Sequence, residues 1–259
     1  MQIISDKYFK KYKDQLEFDL GKTFEENEPE ELTPKTFTFY TSVAVISSSK
    51  IEGENMELDS YVKHKMQHIE YLPELVEKPN DLYTAYLFAK ENSLTEQKFH
   101  QSHVLLSQHL LPKKWREKVR KNEMLVMEHT TGKIQFEAAA FSIIEEEMKK
   151  LWMDISLLLE IKLSANEIFY YASFIHLVFV AIHPFNDGNG RAGRLLEKWF
   201  LAEKLGEKAW YIKSEKYYYT HVNEYYKNLN RLGLFYEKID YSKAHKFLQM
   251  LPNALAFEK

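Results

Sequence analysis

The sequence predicts an all-α protein: a helical bundle carrying one small β-hairpin. Three observations point to it. Apolar residues recur at helical spacing along most of the chain. Only 8 Gly and 7 Pro in 259 residues leave little room for the turns of a many-stranded fold. One segment alone, residues 123–136, reads as two strands around a turn. Hydrophobic residues at 45% against charged ones at 28% give the balance of a soluble globular domain. The length suits one large domain, 33–259, preceded by a short helix and an acidic loop in 1–32.

Composition also narrows the function. A net charge of −3 gives no basic field for nucleic acid. No uncharged apolar run reaches spanning length, so no membrane is expected. The absence of Cys excludes disulfides and Cys-based zinc sites. The polar N-terminus lacks the apolar core of a signal peptide, and a cytoplasmic location is expected.

The first helix is expected around Tyr8, Phe9 and Tyr12, and Glu25 to Glu31 as a solvated loop. Gly21-Lys22-Thr23 resembles the end of a phosphate-binding P-loop, but Leu16 stands where the first Gly is required. Thr33-Pro34 is a helix start, with an N-cap followed by Pro at the first helical position. Phe37, Tyr40, Ala44, Ser47 and Ile51 continue that helix, and Gly53 is its expected stop, giving a helix over 34–53. Glu52 then falls in the last turn, where the helix dipole disfavours an acid unless a cation faces it. Two further helices are expected over 56–76 and 80–92, and another over 94–111 with Leu105, Leu106 and Leu110 in the core. His64 with His68, and His100 with His103, have the spacing of one helical face, but neither pair has a third ligand at metal spacing. Residues 113–121 are basic around Trp115, the pattern of a solvated face or one near phosphate. The hairpin follows at 123–136, then a helix from Phe141 to Ile161.

Ile168 to Ile182 is apolar on nearly every side except at His176, which marks a buried helix. Pro184 disfavours α conformation at His183 and ends it. Asn186 to Gly190 has a turn composition, and an amphipathic helix resumes at Arg191 and stops at Gly206. The segment between reads as a phosphate cradle. Gly188 and Gly190 allow close backbone approach, and free N–H groups of the new helix's first turn face the anion. Arg191 and Arg194, three apart, share a helical face and both reach a polyphosphate. An acid here, Asp187, makes sense as a Mg²⁺ ligand beside phosphates. His183 suits a general base near neutral pH. Together these residues point to phosphoryl or nucleotidyl transfer. For the turn alone, a surface loop with solvated arginines is the competing reading.

His183 to Arg194 resembles the signature of Fic-domain proteins, His-x-Phe-x-(Asp/Glu)-Gly-Asn-Gly-Arg-x-x-Arg, at every fixed position. The resemblance implies a Fic fold: a helical bundle around this helix–loop–helix with a β-hairpin flap. It implies transfer of AMP from ATP to a hydroxyl of a target protein (AMPylation), an adenylyltransferase activity dependent on Mg²⁺. His183 would deprotonate the hydroxyl and Asp187 would hold Mg²⁺. Asn189 and the amides of Gly188 and Gly190 would bind the α-phosphate region, Arg191 the β-phosphate and Arg194 the γ-phosphate. Ser48-x-x-x-Glu52-Gly53 is similar to the family's inhibitory motif, whose glutamate pairs with the second arginine, here Arg194. Tyr225 and Tyr226 resemble the segment closing the adenine pocket, though an aromatic core is the competing reading for either. A protein substrate would dock along the hairpin 123–136. The Pro-rich segment that often follows the flap is replaced by Glu137-Ala138-Ala139-Ala140. Removal of AMP from a modified protein, and nucleotide sensing without turnover, stay open as alternatives. So do the target and the oligomeric state, a homo-oligomer included.

Overall fold

The computed structural model describes residues 1–26, 31–116, 118–128 and 131–257. Helices run in the order α1 (Phe9–Asp14), α2 (Leu20–Glu26), α3 (Pro34–Ile51), α4 (Leu58–Gln67), α5 (Pro73–Glu91) and α6 (Glu96–Leu106). Strands β1 (Leu125–Met127) and β2 (Ile134–Glu137) come next, then α7 (Ile144–Glu160), α8 (Ala165–Ile182) and α9 (Asn189–Leu205). Helices α10 (Ser214–Thr220), α11 (Val222–Asn230), α12 (His245–Leu248) and α13 (Met250–Ala256) close the bundle. The two strands pair antiparallel with an irregularity between Val126 and Met127, so the expected all-α fold with one hairpin is what forms.

Helix α8 is the axis. Every residue from Ile168 to Ile182 is buried, because the other helices surround it. It starts at a capping box in which Ser164 and Glu167 satisfy each other's backbone N–H groups. It is the one described helix long and apolar enough to cross a membrane, yet 83% of that window is buried inside the protein. Helix α9 folds back along α8, and the two touch at Gly193. A Cβ there would stand 2.9 Å from Val180 and 3.1 Å from His176, so only Gly permits this spacing. Helix α3 packs on α4, α5, α10 and the start of α9, with Val45 and Ile46 fully enclosed. The hairpin sits on α11, where Asn230 donates to the Gln135 carbonyl at 2.8 Å.

Helix α3 starts as expected: Thr33 accepts from the Thr36 amide at 3.1 Å. Its end is a Schellman turn in which Gly53 has φ +85°, and the Gly53 and Glu54 amides donate to the carbonyls of Lys50 and Ser49. Four expectations need correction. Glu25 and Glu26 belong to α2, whose Leu20 and Phe24 enter the core, while 27–30 lie outside the described residues. The break placed near Pro79 is instead at 68–72. His68 adopts a left-handed conformation and Leu72 is extended before Pro73, which starts α5. Pro79 lies inside α5 with its ring buried. His68 has therefore left the helical face of His64.

Because Gly193 fixes how closely α8 and α9 approach, Gly193→Val is expected to lower unfolding stability by about 1–3 kcal/mol. Denaturant unfolding checks this: the midpoint should fall at an unchanged slope.

Candidate active site

The loop between α8 and α9 is built from the inside out. His183 is the C-cap of α8 and is left-handed, with φ +55° and ψ +58°. Its Nδ1 lies 3.0 Å from the Val180 carbonyl, which can only accept, so Nδ1 carries the proton and Nε2 keeps its lone pair. Burial pushes the imidazole down to about 4. It is therefore neutral at physiological pH, the form a base requires.

Phe185 anchors the loop. Its ring is buried and stacks on His103 at 3.6 Å between centroids. The backbone of Phe185 is gripped at both ends by one side chain: Asn189 accepts from its N–H and donates to its carbonyl, each at 2.8 Å. A phosphate here would therefore meet the Asn189 backbone N–H and not its side-chain amide. The ring of His103 also contacts the Asp187 carbonyl at 2.9 Å, fixing the turn from α6. Gly188 has φ +80°, and a Cβ there would strike Leu106 at 2.8 Å. His100 and His103 thus belong to packing around Phe185.

Asp187 is exposed; one oxygen accepts from the Gly188 amide at 2.6 Å and caps the turn. Asp187 lines the same cleft as His183 and Gly188. One carboxylate plus substrate phosphates and water is a donor set that fits Mg²⁺. Among the described residues no group of three or more His, Asp or Glu forms a metal cage by itself.

The cleft has a volume of about 330 Å³ and is lined by the loop, the hairpin and α11. Its end at the start of α9 is held by carboxylates of the chain itself. Glu52, the C-cap of α3, reaches Arg194 Nη2 at 2.6 Å. Ser48 completes the grip: its Oγ accepts from Arg194 Nε at 2.8 Å and its carbonyl from Nη2 at 3.0 Å. The Glu52 carboxylate lies over the first turn of α9, so close that a Cβ on Gly190 would stand 2.2 Å from its Oε1. A carboxylate is thus seated where a helix N-terminus attracts anions. Burial acts to lower the pKa of Arg194, but the charge and hydrogen bond of Glu52, with Tyr225 and Tyr226 beside it, together raise it.

Arg191 has a partner that sequence reasoning missed. Glu54 accepts from its Nη2 at 3.0 Å and also pairs with Lys78 of α5 at 3.0 Å. The Schellman turn at Gly53 brings Glu54 back toward α9, and nothing in an acidic stretch marks it beforehand. Both arginines are almost fully buried, and among the described residues Arg191 Nε and Arg194 Nη1 meet no acceptor. Such orphaned donors fit an oxyanion ligand. Tyr225 and Tyr226 are buried beside this end of the cleft. The Tyr225 hydroxyl turns inward to His176 at 3.0 Å, so its ring, not its hydroxyl, is offered to the cleft. His176 and Glu197, paired at 2.9 Å in the core, were also missed; only the lone His in an apolar helix hinted at them.

Residues 93–201 match the family model described as Fic/DOC family. Over that stretch the chain is similar to Fic domains. A Fic family protein from Desulfovibrio desulfuricans shares the fold with a TM-score of 0.77 at 16% identity, covering 98% of this chain and 75% of that one. A Fic domain containing signaling protein from Bacteroides thetaiotaomicron does so with a TM-score of 0.65 at 18% identity, covering 92% and 94%. Fic-1 from C. elegans gives 0.66 at 15% identity, covering 96% and 70%. No curated protein sequence matches. Fic domains generally transfer a nucleoside monophosphate to proteins and typically bind nucleotide and metal.

The His183 imidazole is expected to titrate near pH 4 and to remain the Nδ1–H tautomer at pH 6. Ring ¹⁵N NMR of the labelled protein checks this. A midpoint above pH 6 would contradict the burial described here.

Proposed function

We propose that this protein transfers AMP from ATP to a hydroxyl of a protein substrate, and that the end of α3 restrains it. The observation that carries this reading is the pair of buried arginines at the N-terminus of α9, each held by a carboxylate from the end of α3. His183, whose Nε2 keeps its lone pair, lines the same cleft. In the proposed reaction, His183 Nε2 takes the proton of the target hydroxyl. The oxygen attacks the α-phosphorus, the bond to the β-phosphate oxygen breaks, and pyrophosphate leaves. Backbone N–H groups of Gly188, Asn189 and Gly190 stabilise charge on the α-phosphate. Arg191 and Arg194 hold the β- and γ-phosphates. Asp187 would ligate Mg²⁺, which when bound neutralises phosphate charge. Tyr225 and Tyr226 face the base. A protein substrate fits the hairpin, where Leu125 and Met127 are more than half exposed, at 51% and 54%, and can meet an added strand.

Restraint works by occupation. While Glu52 and Ser48 hold Arg194, the γ-phosphate lacks its ligand, so ATP cannot settle with its α-phosphorus beside His183. A hydrogen bond between charged groups is worth roughly 1.5–3 kcal/mol net. At ~1.4 kcal/mol per tenfold, the Glu52 bond suppresses productive binding about ten- to a hundredfold. Glu52 also shares the cleft with His183, the one observation favouring the hydrolytic alternative, in which it would position water.

Incubation with α-labelled ATP and Mg²⁺ separates the readings. Glu52→Gly is expected to label itself roughly tenfold or more faster than the parent. Arg194→Ala is not, since it removes the lock and the phosphate ligand together, and the double variant should match Arg194→Ala. A folded Glu52→Gly that labels no faster at saturating MgATP sinks the restraint. Loss of label from an AMP-modified protein, dependent on Glu52, would favour hydrolysis.

Asp187→Ala is expected to weaken MgATP binding, with excess Mg²⁺ restoring part of it. Calorimetric titration at two Mg²⁺ concentrations reads this, and a variant matching the parent at both would remove Asp187 from the metal site.

A further inference from the structure

Arg120 stands just before the hairpin, within the basic run that the sequence leaves as a solvated or phosphate-facing surface. It is neither: its exposure is 1%. A guanidinium this deep ordinarily faces a carboxylate. Among the described residues none pairs with it, and its acceptors are all main-chain carbonyls. Nε donates to His183 O at 2.7 Å, Nη2 to Ile182 O at 3.2 Å and to Ala139 O, and Nη1 to Asn122 O at 2.5 Å. The Arg120 amide adds a bond to Pro184 O at 2.9 Å, and Val119 bridges to Phe185.

These carbonyls come from three places. Ile182 and His183 end α8, where carbonyls have no helical donor and the helix dipole is negative. Asn122 leads into β1 and Ala139 leaves β2. One cation therefore joins the end of the helix that carries His183 to both roots of the hairpin. His183 needs such a hold. It is not glycine, its left-handed conformation, with φ +55°, is strained, and the following Pro184 favours an extended one. The direction of its carbonyl reports its ψ angle, and that carbonyl is what Arg120 Nε grips.

We propose that Arg120 is a positioning residue: it holds His183 in the left-handed conformation and ties the hairpin to it. It is not among the residues that line the cleft. Resting on the proposed transfer, this means that the base and the docked hydroxyl are set against each other by one side chain. Lysine cannot replace it, since a point charge cannot span three chain segments at once.

Two readouts test this in Arg120→Lys and in Arg120→Met, which removes the charge but fills the volume and serves if the lysine variant does not fold. In a Glu52→Gly background, kcat for self-labelling is expected to fall about 10- to 100-fold, the size of a misplacement of roughly 1 Å, with the Kd for MgATP unchanged. The second readout needs no reaction. The ring ¹⁵N signals of His183 should shift and broaden, while those of His176, deeper in α8, should not. If the Glu52→Gly parent does not label itself, the transfer reading fails and the ring signals still decide the role of Arg120. His183 signals matching the parent's overturn the proposal. So does MgATP affinity falling in step with kcat.

Discussion

The guanidinium of Arg194 is almost fully buried, and a buried cation must be met by an anion or be far too costly to keep. Much of the site follows from that constraint. The end of α3 meets it with the Ser48 hydroxyl, the Ser48 carbonyl and the Glu52 carboxylate. The same contact removes the objection to an acid at a helix C-terminus, because Glu52 faces a cation and the N-terminus of α9. Gly190 is required here, since any Cβ would collide with Glu52. Glu54 repeats the arrangement at Arg191 and extends it through Lys78 to α5. A nucleotide polyphosphate is another anion that can satisfy both arginines, and in the proposed reaction it competes with this chain's own carboxylates.

A cation offered alternately to two anions must not move itself, and the core beneath it provides for that. Glu197 of α9 accepts from Tyr218 and pairs with His176 of α8, and His176 meets the Tyr225 hydroxyl. This buried network joins α8, α9, α10 and α11 behind the arginines. On the loop side, Asn189 grips Phe185 and His103 holds the Asp187 carbonyl. The recognition surfaces are therefore backbone and guanidinium groups on a rigid frame, the arrangement that electrostatic stabilisation of a transition state requires.

What could be read from the sequence was local in origin. Thr33-Pro34, Gly53 and the loop from Asn186 to Gly190 announce themselves through chain chemistry that depends on neighbouring residues alone. The signature residues and Glu52 could be read because their types are improbable together. Other features depend on distant partners. Arg120 looks like any member of a basic run until the carbonyls of residues 139, 182 and 183 arrive around it. Glu54 is one acid among several until the Schellman turn aims it at Arg191. The break expected between residues 76 and 80 does not form, because α5 runs through Pro79 and buries it, which is tertiary context overriding a local signal.

Where the restraint can give way is set by burial. Helix α3 cannot leave as a unit: Phe37, Val45, Ile46 and Ile51 are core residues, and each fully buried apolar side chain contributes about 1.5–3 kcal/mol. Their sum rivals the net stability of a whole domain. The ion pairs are far weaker and sit at the last turn, where the Glu52 side chain keeps 17% of its exposure and Glu54 keeps 13%. Relief of the restraint therefore needs only a rotation of two carboxylate side chains about the turn at Gly53, with α3 staying docked. A closed state favoured by ~1.5–3 kcal/mol leaves about one to ten percent of molecules open. For the proposed transfer, basal activity at that level, and a large response to any contact that draws Glu52 or Glu54 away, would follow from the same small number.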